Sequence, residues 1–172
     1  MSIGKAEKME NERPTEKIHM ADLVPIICEV LDSDSEFRLY PRGRSMLPTI
    51  VEGKDSVMLA RPENADVWDA VLYRRANGQF VLHRIVAEHG EFFDMCGDNQ
   101  LDIEKNVPKN ALIAKVTGIY KGSVYRSVTD PDYQESVRRL YAKKPFKRAV
   151  LRVKRVLYPL YRPIKAVFIK NK

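Results

Sequence analysis

Between residues 56 and 120 the chain reads as short apolar blocks broken by turn residues, the rhythm of an all-β segment. Val57–Ala60 and Ala70–Tyr73 are two such blocks. Asn77-Gly78, a strong hairpin signal, predicts that the next block, Phe80–Val86, folds back onto the second. His89-Gly90 predicts another turn before Phe92–Cys96, and a last strand, Leu112–Tyr120, follows Pro108. Upstream, Phe37–Tyr40 alternates like a short strand and Pro41-Arg42-Gly43 reads as a turn. Short strands at this spacing predict a mainly β fold, a small coiled sheet or partly open barrel, with helices at its flanks.

The flanks follow helical periods. Leu23, Ile26, Ile27, Val30 and Leu31 recur at helical spacing, with Asp22 as the expected cap, Pro25 in the first turn and DSDSE as the stop. At the other end, Asp130-Pro131-Asp132 opens a helical, increasingly basic stretch. There Phe146, Val150, Val153, Leu157, Leu160, Ile164 and Val167 form one apolar stripe, broken or kinked at Pro159 and Pro163. The expected organisation is a polar N-terminus over 1–17, a β body with its leading helix over 18–128, and a basic amphipathic helical tail over 129–172.

Charge sharpens this division. Residues 138–172 carry 13 Lys and Arg and no acid, whereas the rest has 17 basic and 23 acidic side chains. The formal charge of +7 is therefore a property of the tail. An apolar stripe flanked by cations suits an anionic membrane surface, with Tyr158, Tyr161 and Phe168 at headgroup depth. Docking of the stripe on the body ranks second. Nucleic acid ranks third, since phosphate binding alone has no need of the stripe.

The opening residues lack the apolar centre of a secretory signal, and no apolar run approaches the roughly 20 residues of a spanning helix. The expected location is the cytoplasm, peripheral to the inner membrane face. Cys28 and Cys96 lie in apolar stretches outside any metal-ligand pattern and are expected to be buried thiols. His19, His83 and His89 show no helical pairing with another ligand, so no metal is expected.

Three segments carry candidate chemistry. Gly43-Arg44-Ser45-Met46-Leu47-Pro48-Thr49 places a serine between a residue that permits a sharp turn and one that restrains the chain. Taken alone it is an ordinary loop. Val81-Leu82-His83-Arg84-Ile85-Val86 alternates so that His83 shares a face with Val81 and Ile85, while Arg84 points the other way. A histidine on an apolar face is usually a satisfied core residue, yet a partly buried neutral imidazole is also what a base for a serine hydroxyl requires. Met95-Cys96-Gly97-Asp98-Asn99 ends a strand in a turn and offers a carboxylate to orient that imidazole. Asp98 is the first choice and Asp102 the second.

Together, G-x-S-M-x-P-T, an apolar-H-R-I strand about forty residues on and a G-D-N turn resemble the type I signal peptidase and LexA-like superfamily, over residues 37 to about 121. Val51-Glu52-Gly53-Lys54-Asp55-Ser56-Val57 also resembles the G-D-x-V step that follows the nucleophile there. Many members carry a Lys as the base, and His83 matches those with a His. The resemblance implies a serine endopeptidase without metal or cofactor: Ser45 attacks, His83 is the general base and Asp98 orients it. The backbone N–H groups of Ser45 and Met46 would form the oxyanion hole, and an extended polypeptide with small side chains before the cut would be the substrate. Some members add a hydroxyl two residues before the nucleophile, where this chain has Gly43. The competing expectation is a non-catalytic module that recognises extended peptides by strand addition.

Overall fold

A computed structural model of the 172-residue chain describes residues 18–146 and Ala149. The N-terminal segment 1–17 and most of the basic stripe, Val150–Val167 included, lie outside the described residues.

Among the described residues eight strands form one antiparallel sheet that is not closed into a barrel. They are β1 (Phe37–Leu39), β2 (Asp55–Ala60), β3 (Ala70–Arg74), β4 (Phe80–His89), β5 (Phe92–Cys96), β6 (Glu104–Pro108), β7 (Leu112–Lys121) and β8 (Val124–Ser127). The order across the sheet is β1-β2-β7-β3-β4-β5-β6, with β8 paired to β7. The Asn77-Gly78 turn joins β3 to β4 as expected, and Gly78 takes the left-handed conformation that the turn requires (φ +84°). β6 and β8 were not foreseen. β6 is polar or charged apart from Val107 and Pro108, and β8 is exposed over its first three residues, so neither shows a hydrophobic alternation.

Strand alternation sorts the apolar residues into two cores. Leu72, Cys96, Ala114 and Val116 face one side, where Ile27 and Leu31 of α1 (Met20–Asp32) and Tyr133, Val137 and Tyr141 of α2 (Pro131–Ala142) cover them. Val71, Tyr73, Ile85, Phe93, Met95 and Val107 form the smaller core of the other side. Tyr133, Val137 and Tyr141, spaced four apart, make the first turns of the basic tail an integral part of the body. Asp130 caps α2, its carboxylate accepting from the Asp132 N–H at 2.9 Å.

α1 departs from expectation at its start. It begins at Met20, before Asp22, so Pro25 falls inside the helix instead of in its first turn. Cys28 is exposed, not buried, because Ile27 and Leu31 take the sheet-facing positions; Cys96 is buried, and both are free thiols. Among the described residues no helix is long and apolar enough to cross a membrane.

One ion pair ties the helical side together. Arg84 Nε and Nη2 donate to the two carboxylate oxygens of Asp98 at 2.9 and 2.8 Å, with side-chain exposures of 1% and 0%. Tyr141 donates to the same carboxylate at 2.9 Å, Arg84 reaches the Trp68 carbonyl at 2.6 Å, and the Tyr133 hydroxyl lies 3.2 Å from Arg84. The network joins β4, the turn after β5 and α2. Removing one partner leaves a buried charge uncompensated, so Asp98→Asn is expected to lower the unfolding free energy by about 3–5 kcal/mol in urea titrations. The paired replacement Arg84→Met with Asp98→Leu, which removes both charges, is expected to cost less than that single change.

Candidate active site

Ser45 sits half-buried in a loop pinned on both sides. Met46 and Ile50 are buried in the helix-side core, and the Ile50 N–H donates to the Met46 carbonyl at 2.9 Å. Gly43 opens the loop at φ +96°, a conformation available to glycine at little cost, and its N–H reaches Glu52 at 3.1 Å. Beyond the loop, buried Asp55 accepts from the Val51 N–H at 2.7 Å and pairs with Lys121 at 2.6 Å. Lys121 also donates to the Thr49 carbonyl at 2.5 Å. The lysine thereby fastens the loop to the sheet. No described backbone hydrogen bond uses the N–H of Ser45 or Met46.

The turn that follows β5 meets this loop directly. Asn99 donates from its backbone to the Ser45 carbonyl at 2.7 Å and from its side chain to the Arg44 carbonyl at 3.1 Å. Gly97 is required here by proximity. A Cβ at this position would lie 2.8 Å from the Ser45 carbonyl oxygen, closer than any real contact.

Gly97 also links the loop to His83. Arg84 pairs with Cys96 at the end of the β4–β5 register, and Gly97 is the first residue beyond that pair, as His83 is the residue before Arg84. The space that a Gly97 side chain would occupy is taken by the backbone of Ser45. Ser45 lines a cavity of about 150 Å³ with Pro41, Gly43, Met46 and Ile50 and with Phe80, Val81 and Leu82 at the start of β4, of which Val81 shares the face of His83.

His83 is 2% exposed. Burial, and next the charge of Arg75, pull its pKa down to about 4, so the ring is neutral at pH 7. Its Nδ1 lies 3.3 Å from the Tyr73 hydroxyl. Among the described residues no hydrogen bond joins Ser45 Oγ to His83. Apo active sites often tighten this contact only when substrate is bound.

The carboxylates are not where the sequence reading put them. Asp98 does not hydrogen-bond His83; its oxygens are held by Arg84 and Tyr141, on the opposite side of the sheet from the imidazole. The cause is alternation: Arg84 follows His83 in β4, points away from it, and takes Asp98 with it. Burial alone would raise the Asp98 pKa, but the hydrogen bond and charge of Arg84 more than offset this and hold it below the usual carboxylate range. Asp102 is exposed on the loop before β6 and does not contact His83 through a described hydrogen bond either.

The sequence reading missed Tyr73, Glu104 and Arg75. Tyr73 donates to Glu104 Oε2 at 2.7 Å, and Arg75 Nη2 donates to the same oxygen at 2.6 Å. Laying the Asn77-Gly78 hairpin in register pairs Val71 with His83 and Tyr73 with Val81, which sets Tyr73 diagonal to His83 on one face. That contact was derivable. Glu104 was not, because β6 carries no strand pattern.

Models of known protein families and the curated proteins contain no match to this chain.

Two outcomes test the site. Gly97→Ala, with no room for its Cβ, is expected to displace Ser45 and lower the unfolding free energy by about 1–3 kcal/mol, read by denaturant titration. In the unfolded chain His83 takes up a proton near 6.5, but in the folded chain only near 4. Between these values the unfolded chain binds more protons, so the His83 contribution is complete above pH 6.5 and is lost as pH falls towards 4. Its size is about 3 kcal/mol at most. His83→Gln is expected to flatten the pH dependence of stability across that window.

Proposed function

We propose that this chain is a serine endopeptidase of the signal peptidase and LexA-like kind, with Ser45 as nucleophile and His83 as general base. One observation carries the reading: the Ser45 backbone fills the side-chain space of Gly97, the residue that follows the Arg84–Cys96 pair, and Arg84 is next in β4 to the neutral, buried imidazole of His83. An ordinary loop has no need of so close an approach.

In the reaction, His83 Nε2 accepts the Ser45 hydroxyl proton as Oγ bonds to the peptide carbonyl carbon. The N–H groups of Ser45 and Met46, unused within the loop, stabilise the resulting oxyanion. As the C–N bond breaks, the imidazolium returns its proton to the leaving amine and leaves an acyl-serine. Water, deprotonated by the same imidazole, releases the acid and restores the hydroxyl. The cavity beside Ser45, about 150 Å³ and lined partly by Val81 and Ile50, suits a small apolar side chain next to the cut.

A second reading, a non-catalytic module that binds extended peptides, draws on the lack of a described Ser45–His83 hydrogen bond. The two are separated by labelling with a serine-directed fluorophosphonate. The peptidase reading expects modification at Ser45, loss of that modification in His83→Ala, and loss of cleavage in Ser45→Ala with an unchanged circular dichroism spectrum. A folded protein that cleaves peptide equally well after Ser45→Ala contradicts it.

A further inference from the structure

The acid that would serve His83 is not the one its sequence neighbourhood offers. On the side of the sheet where the imidazole lies, Tyr73 is fully buried, and its hydroxyl is flanked by His83 Nδ1 at 3.3 Å and Glu104 Oε2 at 2.7 Å. A phenol has one proton to give. Tyr73 donates it to Glu104, so towards His83 the phenol oxygen can only accept, and the proton of that contact belongs to Nδ1.

We propose that Tyr73 and Glu104 together position His83, fixing the Nδ1–H tautomer and leaving Nε2 as the basic nitrogen that faces the reaction. Its catalytic meaning rests on the peptidase reading above; its structural content does not. The chain is His83 Nδ1–H to Tyr73 oxygen, and Tyr73 O–H to Glu104. When Nε2 takes a proton, the imidazolium is stabilised through the phenol by the Glu104 charge, with no proton lost from Tyr73. Burial, and then Glu104, hold the phenol pKa far above its ordinary value, so it stays protonated throughout.

Arg75 keeps the acid in place. Its Nε and Nη2 donate to Glu104 Oε2 at 2.8 and 2.6 Å, and Nε also approaches Oε1 at 3.1 Å. Burial tends to raise the Glu104 pKa, but the hydrogen bonds from Arg75 and Tyr73 and the Arg75 charge outweigh it, keeping Glu104 ionised. The charges that bear on His83 are Arg75 just after β3, Glu104 on β6, Asp98 in the turn and Lys144 beyond α2. Of the two carboxylates, Glu104 reaches the ring through the hydrogen-bonded Tyr73, whereas Asp98 is held by Arg84 and Tyr141.

The test is nitrogen NMR of histidine-labelled full chain, with the His83 signals assigned by His83→Gln, alongside fluorophosphonate labelling of Ser45. In the wild type the shifts are expected to show Nδ1 protonated and Nε2 bare at pH 7. Tyr73→Phe, which keeps the ring in the core, is expected to lose that preference and to slow Ser45 labelling roughly 10-fold, the worth of one hydrogen bond. Glu104→Gln is expected to lower the His83 pKa further and to shift the acid limb of the labelling–pH profile with it. An unchanged tautomer in folded Tyr73→Phe, or an unchanged His83 pKa in folded Glu104→Gln, overturns the proposal. A wild type that is never labelled, with the tautomer preference still lost in Tyr73→Phe, overturns the peptidase reading and leaves the positioning role standing.

Discussion

The buried pair of Arg84 and Asp98 is the constraint on which this arrangement rests. Two ionised groups removed from water are tolerated only with close geometry and full hydrogen bonding. Here the geometry is a two-point fork, extended by Tyr141, Tyr133 and the Trp68 carbonyl. The pair clamps the turn after β5 to β4, one residue from His83. The next residues of that turn, through Asn99, hold the Ser45 carbonyl. A buried charge pair thus fixes the turn that holds the Ser45 backbone.

That division of labour explains why two acids near one histidine act differently. Asp98 is bound into the architecture by Arg84 and Tyr141, while Glu104 is tied to the imidazole through Tyr73. Arg84 and Arg75 take matching roles, each neutralising one carboxylate. His83 between them stays uncharged at neutral pH, chiefly because it is buried.

Much of the fold was legible because strands buried on one or both faces leave a record in sequence. β3, β4, β5 and β7 were readable from apolar runs and turn residues, and the two faces of β4 from simple alternation. β6 and β8 left no such record, since their side chains are mostly exposed. The site divided in the same way. His83 could be assigned to its face, and Tyr73 follows from the hairpin register. The partner of Asp98 could not be settled by proximity in sequence, because it depends on which side of the sheet the turn's carboxylate enters. The Cys28 error has a related origin: an apolar run in a helix does not say which two of its members meet the sheet.

The central claim is that the Ser45 hydroxyl and the His83 imidazole act on one another across Gly97. A crystal structure of the chain trapped with a peptide boronic acid tests this most directly. The account predicts boron bonded to Ser45 Oγ, His83 Nε2 about 3 Å from Oγ or a boronate oxygen, and Asp98 still paired with Arg84. A boronate on Ser45 with His83 Nε2 turned away, or Asp98 released from Arg84 to reach the imidazole, would contradict it.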